Sequence, residues 1–287
     1  MTIQDLIANP DYPQKIILQK LICHFCNISR EDMRVKSDQE IKNSDLEKII
    51  SGYNAYVKDS KPLDYILGHV EFFGIKFLVN QHTIIPRPET EYMISAVTEY
   101  CHKILINKSD NILMDIGTGC GVLGISVLLQ NPDVFQTVFL TDYSQDAILV
   151  AKQNYDNLIK SDKFDTKFIR SDLVNFTDSY SSLIGNKDIV LLGNLPYIPE
   201  KTHDENNPDS VKKREPRMAF VGGEDGLIYY YKMFDQIIDF KLHKIVMFLE
   251  MMTRQVDILR SKYSDYFTFE EVKTFHFNIR IVKVRFS

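Results

Sequence analysis

From about residue 111 onward, short apolar runs alternate with longer amphipathic stretches. The runs at 112–116, 137–142, 166–170, 188–192 and 244–249 have the length and composition of buried strands, and each is followed by a helical or loop segment. That alternation predicts a doubly wound α/β sheet. After a last helical stretch around 254–264 come two strand-like runs, FTFEEVKTF and NIRIVKVRF, with only HF between them. A crossover helix cannot fit into so short a link, so one of the last two strands is expected to run antiparallel.

The first 60 residues carry a different pattern. Leu18, Leu21, Ile22 and Phe25 recur at helical spacing in IILQKLICHFC. Ser44 and Glu47 have the spacing of a capping box ahead of a face made by Leu46, Ile49, Ile50, Tyr53 and Tyr56. Next, EFFGIKFLVNQHTIIP holds two β-type runs broken at Gly74 and Asn80, which predicts a hairpin. The expected organisation is a helical domain at 1–68, a hairpin linker at 69–85 and an α/β domain at 86–287. There is no internal repeat.

Composition narrows the function. Of 287 residues, 44% are hydrophobic and 25% charged, enough for a sizeable core, and the formal net charge is -5 with a pI near 5.8. An acidic balance argues against a surface that holds polyphosphate by bulk charge, so no stable nucleic-acid complex is expected. The start, MTIQDLIANP, has no basic segment leading into an apolar run, and no stretch approaches the roughly 18 apolar residues of a membrane span. A cytoplasmic protein without membrane attachment is expected. Cys23, Cys26, Cys101 and Cys120 are too scattered for a disulfide framework, and the Cys23–Cys26 pair lacks a second pair to complete a zinc site, so both are read as helix-packing residues. No two of His24, His69, His82, His102, His203, His243 and His276 have ligand spacing, and no metal is expected.

The first chemical motif is ILMDIGTGCGVLGIS. A strand runs into Asp115, and Gly117, Gly119 and Gly121 let the backbone turn tightly and approach a ligand without a Cβ in the way. Gly119, Gly121 and Gly124 also satisfy the dinucleotide fingerprint, with Asp142 at the end of the next strand for a ribose hydroxyl, although Asp142 could equally cap the helix in SQDAILVAKQN. The motif suits a nicotinamide dinucleotide or S-adenosylmethionine. The later strands favour the methyl donor: Asp172 follows the third strand, where an acid can accept from an adenine amino group and Leu173 can pack on the ring. The fourth strand ends in Asn194-Leu195-Pro196-Tyr197. Directly after it, EKTHDENNPDSVKKREP reads as a long polar loop, a candidate lid or recognition element.

These motifs resemble the class I methyltransferases that use Asn-x-Pro-Tyr on planar nitrogens, and within them the peptide chain release factor glutamine N5-methyltransferases. The resemblance extends over most of the chain. Pro86-Arg87-Pro88-Glu89-Thr90-Glu91 matches the family's linker signature, and REPRMAFVGGEDGL matches its Glu-Pro and Gly-Gly-x-Asp-Gly-Leu elements at Glu215, Pro216, Gly222, Gly223, Asp225, Gly226 and Leu227. It implies a Rossmann-like domain with a small N-terminal helical domain that recognises the substrate, and a monomeric enzyme. Its donor would be S-adenosylmethionine, held by Asp115, Gly117, Thr118, Gly119, Gly121, Asp142, Asp172, Leu173 and Asn194. Its substrate would be the glutamine of the Gly-Gly-Gln motif in class I release factors, met by Asn194, Leu195, Pro196, Tyr197 and Arg87. An amide nitrogen is a poor nucleophile because its lone pair is delocalised. If the Asn194 side-chain oxygen and the Leu195 carbonyl accept its two N–H bonds, the nitrogen is fixed and made electron-rich. Pro196 stiffens the turn and Tyr197 offers a flat face. Family members commonly carry Pro where this chain has Leu195, so the acceptor carbonyl is expected to be held less rigidly. Asn-Leu-Pro-Tyr also occurs in adenine N6-methyltransferases of ribosomal RNA, and a sister family methylates a ribosomal-protein glutamine. These are the alternatives.

Overall fold

The structure, a computed structural model, describes residues 1–105, 110–206, 208–274 and 279–286. The chain forms two units, residues 1–69 with 208–214, and residues 70–207 with 215–287.

In the smaller unit, α1 (Ile3–Ala8), α2 (Lys15–Phe25), α3 (Arg30–Val35), α4 (Asn43–Val57) and α5 (Leu63–Leu67) close around Leu6, Leu18, Leu21, Ile22, Ile49 and Tyr53. The periodic residues of α2 and α4 supply most of that core, so helix formation here follows from burying one face. The capping is not where the spacing places it. Thr2 and Ser29 make full capping boxes with Asp5 and Asp32, whereas α4 already starts at Asn43 behind Lys42, which makes no side-chain cap. Ser44 therefore lies inside the first turn and hydrogen-bonds Asp45. Gly52 lets α4 approach its neighbours: a Cβ there would lie 3.0 Å from Ile66 Cγ2 and 3.2 Å from Leu21 Cδ2. Cys23 and Cys26 are free thiols packed at the edge of this core, and burial raises both pKa values.

The larger unit opens with a two-stranded sheet, β1 (His69–Phe72) and β2 (Ile75–Leu78), turned through Phe73 and Gly74, both at positive φ. Then come α6 (Glu91–Tyr100), β3 (Asn111–Ile116), α7 (Val122–Gln130), β4 (Phe135–Asp142), α8 (Gln145–Leu158), β5 (Asp165–Arg170), β6 (Ile189–Gly193), α9 (Ile228–Asp239), β7 (Ile245–Met252), α10 (Thr253–Lys262), β8 (Phe267–Thr274) and β9 (Ile279–Phe286). The nine strands among the described residues thus include all the predicted runs. Seven of them form one sheet in the order β5-β4-β3-β6-β7-β9-β8, parallel except that β9 runs antiparallel to both β7 and β8. The HF link and His276 lie outside the described residues. β3 and β6 are buried at every position, as expected for central parallel strands covered on both faces.

Strand order reverses between β3 and β6, and register aligns their ends: Ile116 pairs with Thr141 on one side and Gly193 on the other. A crevice opens at such a switch point, outside the carboxyl ends of the strands. Asn154 of α8 ties the two-stranded sheet to this edge, accepting from the Leu78 N–H at 2.7 Å and donating to the carbonyls of Leu78 and Cys120.

The polar stretch after β6 is not a loop. It forms helical turns at Glu200–Asn206 and Asp209–Arg214. Hydrophobic periodicity is absent because side-chain bonds hold the first: Arg217 pairs with Glu200 at 2.7 Å and with Asp204, and His203 is buried against the Phe220 ring. In the second, Pro208 supplies the carbonyl for the first turn, and Arg214 donates to the Asp59 carbonyl within the smaller unit.

Candidate active site

Asp115 is the one acidic residue of β3 and is 1% exposed. Its Oδ2 accepts from the Thr118 hydroxyl at 2.6 Å and from the Gly124 N–H at 2.9 Å, pinning the glycine turn to α7. Burial pushes its pKa up to about 6. Gly117, Gly119 and Gly121 all take positive φ, which L side chains rarely adopt. Gly124 serves packing, because a Cβ there would collide with Leu140 and Asp115. Asp115, Thr118 and Gly121 therefore build the turn from beneath, while Ile116, Gly117 and Gly119 of the motif line the crevice.

Asp142 ends β4 and does line it. Its Oδ2 accepts from the Gly119 N–H at 3.0 Å and its Oδ1 from the Ser144 N–H at 2.9 Å. The cap of α8 is Ser144, whose hydroxyl accepts from Ala147, so Asp142 is not the helix cap. Desolvation raises the Asp142 pKa, a cost that donors from a ligand would offset. On the next strand's exit, Asp172 and Leu173 also reach the crevice, Leu173 at φ 56°. Asp172 is not a free acceptor: one of its oxygens is ion-paired with Lys232 of α9, itself a lining residue.

β6 ends at Gly193, and Asn194, Leu195 and Pro196 also line the crevice. The Asn194 Nδ2 donates to Thr90 Oγ1 at 3.0 Å. Leu195 is 3% exposed, with Cδ2 against the Gly117 backbone, so packing rather than a proline ring fixes this residue. The Tyr230 hydroxyl lies 3.3 Å from the Leu195 carbonyl and closer to the Glu250 carbonyl, which takes its single proton. The Leu195 oxygen thus keeps acceptor capacity. Tyr197 does not line the crevice; its hydroxyl donates to Glu250 Oε1 at 3.0 Å. Arg87 is likewise engaged elsewhere, its Nη2 2.8 Å from Glu215 Oε1, while Glu215 Oε2 accepts from the Ile85 N–H at 3.0 Å. That pair joins the PRPETE and REPRMAF segments.

The GGEDGL segment buttresses this turn. Ile198 bridges to Val221, the Gln255 amide donates to the Tyr197 carbonyl at 2.7 Å, and Gly222 and Gly226 press against the carbonyls of Pro196 and Tyr197. Gly226 also has φ 78°. In Gly226→Ala a Cβ would strike the Tyr197 carbonyl and Gln255 amide, adding overpacking to a left-handed backbone, so denaturant unfolding should report a loss of about 2 kcal/mol. Gly223→Ala, at φ 87° with its nearest neighbour 3.4 Å away, should lose less. Equal losses would contradict the buttress.

Together these walls enclose about 520 Å³, within the range of small-molecule sites, lined mainly by apolar groups with a few convergent polar ones. Among the described residues no cluster of His, Cys, Asp and Glu could hold a metal, and no helix is long and apolar enough to cross a membrane.

Residues 96–189 match the family model for the Methyltransferase small domain. A release factor glutamine methyltransferase of Bacillus cereus is 32% identical over 217 residues, which cover 76% of this chain and 72% of that protein. This chain belongs to the release factor glutamine methyltransferase family. A relative of the same name from Clostridium acetobutylicum is 34% identical over 217 residues, 75% of this chain and 70% of its own. Among solved structures, the hMettl16 catalytic domain in complex with MAT2A 3'UTR hairpin 6 aligns with a TM-score of 0.53 and 13% identity, covering 85% of this chain and 82% of that one; such a likeness speaks for the fold alone.

Placed within the release factor glutamine methyltransferase family, the site includes residues that motif spacing leaves unassigned. Thr90, Glu250, Tyr230, Gln255 and Lys232 all touch the proposed donor or acceptor residues. Glu250 has a sequence signal, an acid inside the apolar run IVMFLEMM, the same anomaly that marks Asp115 in ILMDIG.

Proposed function

We propose that this protein transfers a methyl group from S-adenosylmethionine to the side-chain amide nitrogen of the glutamine in the Gly-Gly-Gln motif of class I peptide chain release factors. Its donor is S-adenosylmethionine, the methyl source of its family. The residues present fit that group: Gly117 and Gly119 leave room for close backbone approach, and the half-buried Asp142 carboxylate awaits hydroxyl donors. Asp142 would hold the ribose, the glycine turn the amino-acid end, and Leu173 with the Asp172–Lys232 pair the adenine side. When bound, the donor supplies an electrophilic sulfonium methyl.

The observation that carries the reading is that Asn194, Leu195 and Pro196 line the same crevice as the glycine turn and Asp142. Asn194 Oδ1 and the Leu195 carbonyl accept the two N–H bonds of the substrate amide, hold its nitrogen toward the donor and raise its electron density as it becomes tetrahedral. No base is needed before transfer, since the proton leaves once the product is cationic. Residues 1–68 would recognise the folded release factor, supplying binding energy that a short loop cannot.

The test supplies labelled donor, a release factor and ribosomal RNA together. Label should enter the release factor alone, because an acidic enzyme has little counterion-release energy with which to hold RNA. Label in RNA adenine, with none in the release factor, would overturn the proposal.

A further inference from the structure

Leu173 stands in the left-handed region at φ 56°, a conformation that strains an L side chain and persists only where its surroundings hold it. It also lines the crevice, beside Asp172. What holds it comes from α9. The Gln236 side-chain amide closes on the backbone at both sides of Leu173: its Oε1 accepts from the Val174 N–H at 3.0 Å, and its Nε2 donates to the Asp172 carbonyl at 3.4 Å. A backbone N–H can only donate and a backbone carbonyl can only accept, so a single orientation of this amide serves both. Gln236 is 9% exposed and lies behind the lining residues rather than among them.

We propose that Gln236 is a positioning residue of the donor site: by bracketing Leu173 it keeps that residue left-handed and so fixes the Leu173 side chain and the Asp172 carboxylate where adenine is received. The inference rests on the reading that Asp172 and Leu173 take the adenine. Relaxing Leu173 out of the left-handed region would rotate the peptide planes on either side, and the directions in which both side chains leave the backbone would turn with them. The flanks are held independently. The Ser171 N–H donates to the Asp142 carbonyl at 2.9 Å, and the Thr177 hydroxyl to the Val174 carbonyl at 2.8 Å, so a change at Gln236 is confined to the segment between them.

Lys232, one turn before Gln236 on the same face of α9, pairs with the Asp172 carboxylate. Both of those side chains are partly exposed, and an ion pair in water is a weak restraint; the buried amide on the backbone is the stronger one. A carboxylate fixed at the ring edge accepts from the amino group of adenine and repels the carbonyl oxygen that hypoxanthine carries in its place.

Calorimetry with S-adenosylhomocysteine and with S-inosylhomocysteine, its deaminated form, tests this. The unmutated protein should prefer the adenine ligand by about 10- to 150-fold, the range for a hydrogen bond to a charged group. Gln236→Met keeps the length and removes the amide. It should weaken S-adenosylhomocysteine by about 10-fold or more and change S-inosylhomocysteine by no more than a few fold, so that the preference collapses. General loosening of the fold would weaken both ligands alike. In Gln236→Glu the protonated carboxyl can accept and donate as the amide does, whereas the ionised one can only accept. Measured against the unmutated protein at each pH, that variant should keep the adenine preference in acid and lose it as pH rises, and it carries the test should Gln236→Met not fold. If the unmutated protein has no adenine preference, the adenine reading falls and this inference with it, whatever the methylation assay shows. If the preference is present and Gln236→Met retains it or weakens both ligands equally, or if Gln236→Glu retains it at every pH, this inference alone falls.

Discussion

Asn194→Ala should slow methyl transfer by about 10²- to 10³-fold while leaving donor affinity within a few fold. The magnitude is that of deleting one preorganised polar group at a reacting centre in a water-poor site. Here the substrate nitrogen would retain the Leu195 carbonyl as its one acceptor, so it could still enter but would no longer be held against rotation. The donor side of the crevice is built by other residues, chiefly the glycine turn and Asp142, none of which bonds to the Asn194 side chain. Single-turnover kinetics and calorimetry separate the two effects. A variant that loses donor binding and rate in equal measure would make Asn194 part of the donor site rather than the acceptor of the substrate.

For Asp142→Ala the loss should fall on binding. Donor affinity should weaken by about 1.5–3 kcal/mol, roughly 10- to 150-fold, the range for a charged hydrogen-bond partner. Two contributions add. The ligand hydroxyls lose their acceptor, and the Gly119 and Ser144 N–H groups lose the carboxylate that fixes the turn. Because the Asp142 pKa is raised in the free protein, its carboxylate protonates more readily than an ordinary one, so donor affinity should also fall as pH is lowered into its titration range. Asp142→Asn should flatten that pH dependence. Unchanged affinity in Asp142→Ala, or a preference of the unmutated protein for a nicotinamide dinucleotide, would remove the donor from this pocket.

The sheet was legible because its strands are apolar runs between turn residues, and β6 in particular ends where Gly193 and Asn194 interrupt IVLLG. The helices at Glu200–Asn206 and Asp209–Arg214 were not, because ion pairs around Arg217 and a proline turn hold them without an apolar stripe. Motif residues divided by depth. Glycines that line a crevice and glycines that merely permit close packing look alike in a string, so Gly119 and Gly124 are told apart by what a Cβ would meet. The partners of Arg87 and Tyr197 were not legible for a related reason: Glu215 and Glu250 lie more than 50 positions away in sequence, and no local pattern announces a tertiary ion pair or hydrogen bond. Leu195 illustrates the reverse. Substituting for a proline suggested a looser turn, yet its buried side chain packs against Gly117.

The most direct test of the central claim is the intact mass of a class I release factor after incubation with the enzyme and S-adenosylmethionine, run beside a variant in which the Gly-Gly-Gln glutamine is alanine. The account predicts a gain of one methyl group on the first and none on the second. An unchanged mass for both, or an equal gain on the alanine variant, would contradict it.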